Sequence, residues 1–335
     1  LQVIGNNQSL SSLNINTDAN STANLTLPNI GGTNAGVSGV VNVGNSATNK
    51  LTMSGTTYKT GSGAADYEAK TGSTILLTAA SPTVTTAAGD LSFSTGDLVL
   101  STNGTTTFTT GTTGGGSISV AGKINGTNTQ TEALAITSGT GAIQLQGAIG
   151  DANKLSSIAI NSASGSGTIE VANIGSGSVG ASLTTTIGNT ATNTLTLDGT
   201  VYNTDGTQTY TAKTGGGNID ITGAATFTTS ADAIAFATSG VDLSANVAIT
   251  TTTGGAGDVD FGGAIETDNG SRTLIIDSGS GDVTFTGAIG LTNSLGGLNV
   301  NSTAGDGDGD IVFTEDIGDT TAGVAGITAV GNSST

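Results

Sequence analysis

Apolar side chains along this chain come in short alternating runs, each introduced by glycine. In GDVTF, Gly281–Phe285, Val283 and Phe285 fall on one side of an extended backbone and Asp282 and Thr284 on the other. The same frame, Gly-x-[Ile/Leu/Val]-x-[Phe/Ile/Leu/Val], recurs at Gly89, Gly96, Gly116, Gly141, Gly167, Gly217, Gly257 and Gly309. Ile, Val, Thr and Phe suit a pleated strand, and no long window carries a helical period. The pattern predicts many short strands separated by glycine-rich corners.

Two periods are superimposed. Frames at Gly89, Gly116, Gly141 and Gly167, and again at Gly257, Gly281 and Gly309, are 24 to 28 residues apart. The longer period is about 143 residues. Ile4-Gly5, Leu10, Leu13 and Ile15-Asn16 return as Ile149-Gly150, Leu155, Ile158 and Ile160-Asn161, then as Ile289-Gly290, Leu295, Leu298 and Val300-Asn301. Val43 likewise answers to Ile187 and Val330. These matches place a first super-repeat over 1–148, a second over 149–288 and a partial third over 289–335.

Units of about 25 residues cannot each bury an apolar face alone, so they stack on one another. The expected fold is an all-β solenoid of about thirteen coils in one continuous, elongated array, with neighbouring coils ~4.8 Å apart. Val259, Phe261, Val283, Phe285, Ile311 and Phe313 are expected inside. Asn16, Asn161 and Asn301 each follow a strand and are expected to cap corners through their side chains.

Composition narrows the function. Cys, His and Trp are absent, which removes disulfides, thiolate or imidazole metal ligands, and Cys or His catalysis. The formal net charge is −18, with Lys213 and Arg272 the only basic residues after Leu155, the opposite of a nucleic-acid-binding surface. No stretch approaches the ~20 apolar residues of a spanning helix. Freedom from Cys suits export to an oxidising exterior. An enzyme that cuts polysaccharides would need paired carboxylates with basic partners around a sugar cleft, and no such break in the repeat is visible; no enzyme is expected.

Three candidate surfaces remain. Asp306, Asp308 and Asp310 alternate with glycine, so their carboxylates could converge on calcium. The matched run Ser162–Thr168 has no Asp, and a solvated acidic corner is the preferred reading. Gly254–Asp260 resembles a calcium-binding nonapeptide with its Asp residues one place off. No cofactor other than calcium is implied. Tyr58 and Tyr67 answer to Tyr202 and Tyr210, with the turn signal Asp205-Gly206 between the second pair, so each run reads as a hairpin leaving the coil. Its rings either meet a partner or, as favoured here, cover the coil beneath. Thr-rich runs such as Thr105–Thr109 raise an ice-binding reading, which needs Thr-x-Thr on the same strand of consecutive coils; the sequence alone reveals no such register. Gly175–Gly180 matches GxGxxG, but no helix follows, and in so glycine-rich a chain the match is dismissed.

The blocks GDVTFTGAIG (Gly281–Gly290), GAIQLQGAIG (Gly141–Gly150), GDVDFGGAI (Gly257–Ile265) and LNVNS (Leu298–Ser302) resemble the strand-repeat regions of very large secreted bacterial proteins of the filamentous-haemagglutinin-like type. The likeness is one of repeat style and covers nearly the whole chain. It implies a right-handed parallel β-helix serving as a fibre, or as the stalk of a giant adhesin, outside the cell or on its surface. The implied partners are identical chains or repeats along a fibre, or cell-surface and matrix components. Because Val330–Thr335 matches Val43–Thr48, where the earlier copy continues into a strand, further sequence is expected beyond both ends.

Overall fold

A computed structural model describes residues 2–112, 114–127, 130–251, 257–268, 271–302, 309–318, 323–326 and 328–331. The chain divides into two units, Leu1–Glu170 and Val171–Thr335. Among the described residues there is no helix; parallel strands stack as a β-solenoid of about 11 turns, in coils of about 25 residues.

Each coil has three sides. In the first unit, sheet B stacks Leu13–Ile15, Val41–Val43, Ala65–Glu68, Leu91–Thr95, Ile118–Val120 and Ile143–Leu145. Sheet C stacks Asn24–Leu27, Lys50–Met53, Thr74–Leu77, Asp97–Leu100 and Ile124–Asn125, and sheet A stacks Thr57–Thr60, Thr83–Thr86, Gly104–Thr109, Glu132–Thr137 and Ser157–Ile160. The chain runs B, C, A in every coil. In the second unit it runs A′, B′, C′. Sheet A′ stacks Thr185–Ile187, Gln208–Thr211, Ile234–Ala237, Val259–Phe261, Val283–Phe285 and Ile311–Phe313. Sheet B′ holds Thr194–Leu197, Asn218–Ile221, Gly240–Leu243 and Ile265–Thr267; sheet C′ holds Val201–Asn203, Thr226–Thr228, Val247–Thr250, Thr273–Asp277, Gly297–Val300 and Thr328–Val330.

Alternation sends one set of side chains into the coil. Val259, Phe261, Val283 and Phe285 are buried as expected. Ile311 and Phe313 are only half-buried, because no described strand pairs with their far side. In-register pairing stacks like on like: the rings of Phe236, Phe261, Phe285 and Phe313 lie 4.9, 5.4 and 4.9 Å apart and within 11° of parallel. That spacing is close to the strand separation, so a phenylalanine column costs no distortion of the ladder.

The super-repeat is out of phase with the coil. Leu13–Ile15 lies in sheet B, but its counterpart in Ser157–Ile160 lies in sheet A, five coils and two sides further along. The second unit repeats the offset, from Thr185–Ile187 in sheet A′ to Thr328–Val330 in sheet C′. A buried polar column marks the same step. Thr60, Thr86, Thr110, Ser138 and Asn161 end or follow the strands of sheet A, whereas Thr204, Thr229, Thr251, Ser278 and Asn301 follow those of sheet C′. The hydroxyls of Thr86, Thr110, Ser138, Thr204, Thr229, Thr251 and Ser278 bond their own corner's carbonyl, as Thr110 Oγ1 does to Gly116 O (2.6 Å) and Ser278 Oγ to Gly281 O (2.6 Å). Asn161 and Asn301 cap as expected: each Oδ1 accepts an N–H, from Ser138 and Ser278 respectively, at 2.9 Å. Both sit at φ 44°, a left-handed conformation that Asn tolerates.

The glycine of the frame has a stacking role. A Cβ on Gly141 would lie 2.1 Å from the carbonyl oxygen of Gly116 directly below, and one on Gly281 would lie 2.3 Å from that of Gly257. Gly141→Ala should therefore lower the stability of the first unit by about 1–3 kcal/mol, through forced separation of two coils. Chemical denaturation of both proteins checks this; an unchanged midpoint would mean that the corners have slack.

Candidate functional site

The four tyrosines do not form hairpins. Tyr58 pairs in parallel with Val84 in sheet A, and Tyr67 with Val43 and Phe93 in sheet B; Tyr202 and Tyr210 occupy successive parallel strands of sheets C′ and A′. All four side chains are fully buried, so the surface-contact reading is corrected. Asp205-Gly206 turns the chain round a coil corner, from sheet C′ to sheet A′, not back on itself. Two of the rings pin corners. Tyr58 Oη donates to Leu27 O (3.1 Å) and accepts from the Gly55 N–H (2.7 Å); Tyr202 Oη donates to Val171 O (2.9 Å) and accepts from the Gly199 N–H (2.9 Å). Tyr67 Oη is buried without a partner. Burial raises all four phenols above their ordinary pKa.

Carboxylates and side-chain amides placed just before strands tie each coil to the next. Asp258 Oδ1 accepts the Asp282 N–H (3.0 Å), and Asp282 Oδ1 accepts the Asp310 N–H (2.9 Å). Asp90 and Asp97 serve Ser117 and Lys123 in the first unit, while Asn29 and Asn173 serve Thr57 and Thr200. Glu266 gathers three consecutive N–H groups, of Leu291, Thr292 and Asn293 (3.1, 3.2 and 2.8 Å), at the corner that opens the third super-repeat. The sequence signal for the Asp and Asn caps is an Asx immediately before a strand frame at coil spacing. Glu266 offered none, because its partners lie in an irregular corner one coil away.

Of the candidate calcium ligands, Asp306 and Asp308 lie outside the described residues, and Asp310 donates its backbone N–H to Asp282 Oδ1. Among the described residues no group of three or more acidic side chains is arranged to hold a metal ion. Gly175 begins a corner that leads to the strand Thr185–Ile187. Arg272 is paired with Asp268 through two bonds, at 2.9 and 2.8 Å. Open depressions include one of about 380 Å³ lined by Pro28, Asn29, Ser54, Gly55 and Thr56, and one of about 210 Å³ beside Leu183, Gly206 and Asp232.

Sheet B′ carries a column of like charge, with Asp220 in register with Asp242 and Asp242 with Glu266. Burial, and then the neighbouring Asp242, raise the Asp220 carboxyl above its ordinary pKa. Burial, and then Glu266, raise Asp242, against a lowering hydrogen bond from Asn218.

Compared with family models, curated proteins and solved structures, the chain matches none. Its own geometry defines a β-solenoid repeat protein.

Two predictions follow from these contacts. Tyr58→Phe should cost about 1–3 kcal/mol by leaving the Gly55 N–H and Leu27 C=O unpaired, whereas Tyr67→Phe should be neutral or stabilising. Thermal unfolding of the pair separates a pinning hydroxyl from a merely tolerated one. The carboxyls of Asp220 and Asp242 bind protons more tightly when folded, so they favour folding below the ordinary carboxylate pKa near 4 and lose that contribution as pH rises through their raised values. Asp242→Asn should stabilise the second unit by about 0.5 kcal/mol at pH 7, and the gain should vanish near pH 4. A gain independent of pH would locate the effect outside this column.

Proposed function

We propose that this chain is a non-catalytic segment of an extracellular structural filament, a rod assembled from repeats. The observation that carries the reading is where its chemistry is spent. Tyr58, Tyr202, Asp90, Asp97, Asp258, Asp282 and Glu266 all hold backbone groups, most of them in an adjoining coil. Side chains that elsewhere would act on a substrate here maintain the stack. The repeat style resembling filamentous-haemagglutinin-like proteins, the lack of Cys and the −18 charge support a place outside the cell. No helix among the described residues is long and apolar enough to cross a membrane. On this reading the partners are identical chains or repeats along a fibre, and no cofactor is required.

A second reading, the stalk of a surface adhesin, is favoured by apolar side chains left outward, chiefly Leu183 at 61% exposure beside its shallow depression. Its partners would be cell-surface or matrix components. Electron microscopy of the purified chain distinguishes the two. Lateral bundles are expected of a fibre subunit and isolated threads of a stalk, while compact particles, or turnover of a polysaccharide, would overturn both.

A further inference from the structure

The register of sheet A brings together threonines that the sequence separates by unequal intervals. Thr83 is in register with Thr57 on one side and Thr107 on the other. Two residues along each strand, Thr85 is in register with Thr109, and Thr109 with Thr137. Thr105 extends the row at Thr107. Thr83-x-Thr85 thus lies directly over Thr107-x-Thr109, the arrangement that the sequence alone did not reveal. All these side chains point outward, alternating with the buried Val84 and Phe108.

Three further features bear on what such a face can bind. Among the described residues, the hydroxyls of Thr57, Thr83, Thr85, Thr105, Thr107 and Thr137 have no protein partner, in contrast to the bonded hydroxyls of Thr86 and Thr110 inside. One charge borders the patch: Lys59 is in register with Thr85, and its ammonium bonds Gly32 O at 2.7 Å. Every aromatic ring of the first unit is buried, so none is presented for stacking on a sugar. The threonines occupy a lattice of about 4.8 Å between strands and about 6.6 Å along them. Hexagonal ice has an oxygen repeat near the inter-strand spacing. Threonine is stiff at χ1, so little rotamer freedom is lost when water orders over its methyl and hydroxyl groups.

The geometry points to an ice-binding face on sheet A of the first unit, with Thr83, Thr85, Thr107 and Thr109 at its centre and ordered surface water as its ligand. Sheet C′ has no such two-strand block: its Thr226-x-Thr228 meets Val201 and Asn203 on one side and Ala248 on the other, whereas in sheet A Thr83-x-Thr85 and Thr107-x-Thr109 meet before Lys59 and Ala135 bound the block. The test is ice-recrystallisation inhibition and thermal hysteresis of the purified chain, with folding followed by circular dichroism. The native chain should inhibit. Thr85→Tyr combined with Thr109→Tyr should abolish inhibition, whereas Thr228→Tyr on sheet C′ should retain it. If the double tyrosine variant fails to fold, Thr85→Ser with Thr109→Ser keeps the hydroxyls, removes the methyls, and should weaken inhibition several-fold. Absence of inhibition by the native chain, or full inhibition by a folded double variant, would overturn the proposal.

Discussion

A coil of this chain cannot satisfy its own backbone. Its strands are two to six residues long and lie on separate sides, so their N–H and C=O groups find partners only in the coils before and after. Unpaired, each buried group would cost on the order of 1–3 kcal/mol, so in-register stacking is the condition on which everything else rests. Glycine at the frame position follows from it, because a Cβ at Gly141 would collide with the carbonyl below. The Asx caps follow as well, since they supply acceptors where the chain turns away from the strand pairing.

How far the sequence carried can be judged residue by residue. Val283 and Phe285 were readable as core because alternation is a local property, and Asn161 and Asn301 as caps because they end matched strands. The threonine lattice was not readable, because the coils vary in length. Thr57 meets Thr83, Thr83 meets Thr107, and Thr109 meets Thr137 across three different intervals, so no fixed offset aligns them. The tyrosine hairpin failed for another reason. Asp205-Gly206 marks a change of direction, but a local turn signal does not distinguish reversal from a corner between two sides of a coil. Buried Thr110 and Thr204 were also invisible, since composition places Thr outside until a corner carbonyl is found for it to bond.

The same stacking rule works against the protein on sheet B′. Register that aligns phenylalanine with phenylalanine also aligns Asp220, Asp242 and Glu266, and the resulting repulsion is tolerated, softened by solvent and by the Asn218 bond. Columns of like residues are therefore not all favourable. Their sign depends on whether the side chain faces the interior or water.

The offset between super-repeat and coil bears on how such a chain can change length. If the duplicated segment closed on whole coils, every copy would present the same residues in the same direction, and gain or loss of a copy would merely lengthen or shorten one stripe. Here each segment advances by five coils and two sides. Gain or loss of one segment therefore re-aims whatever lies beyond it by a third of a revolution. Three segments are needed before any residue recurs on its starting side. Variation in copy number, in a chain of this construction, is also variation in the angular arrangement of its surface.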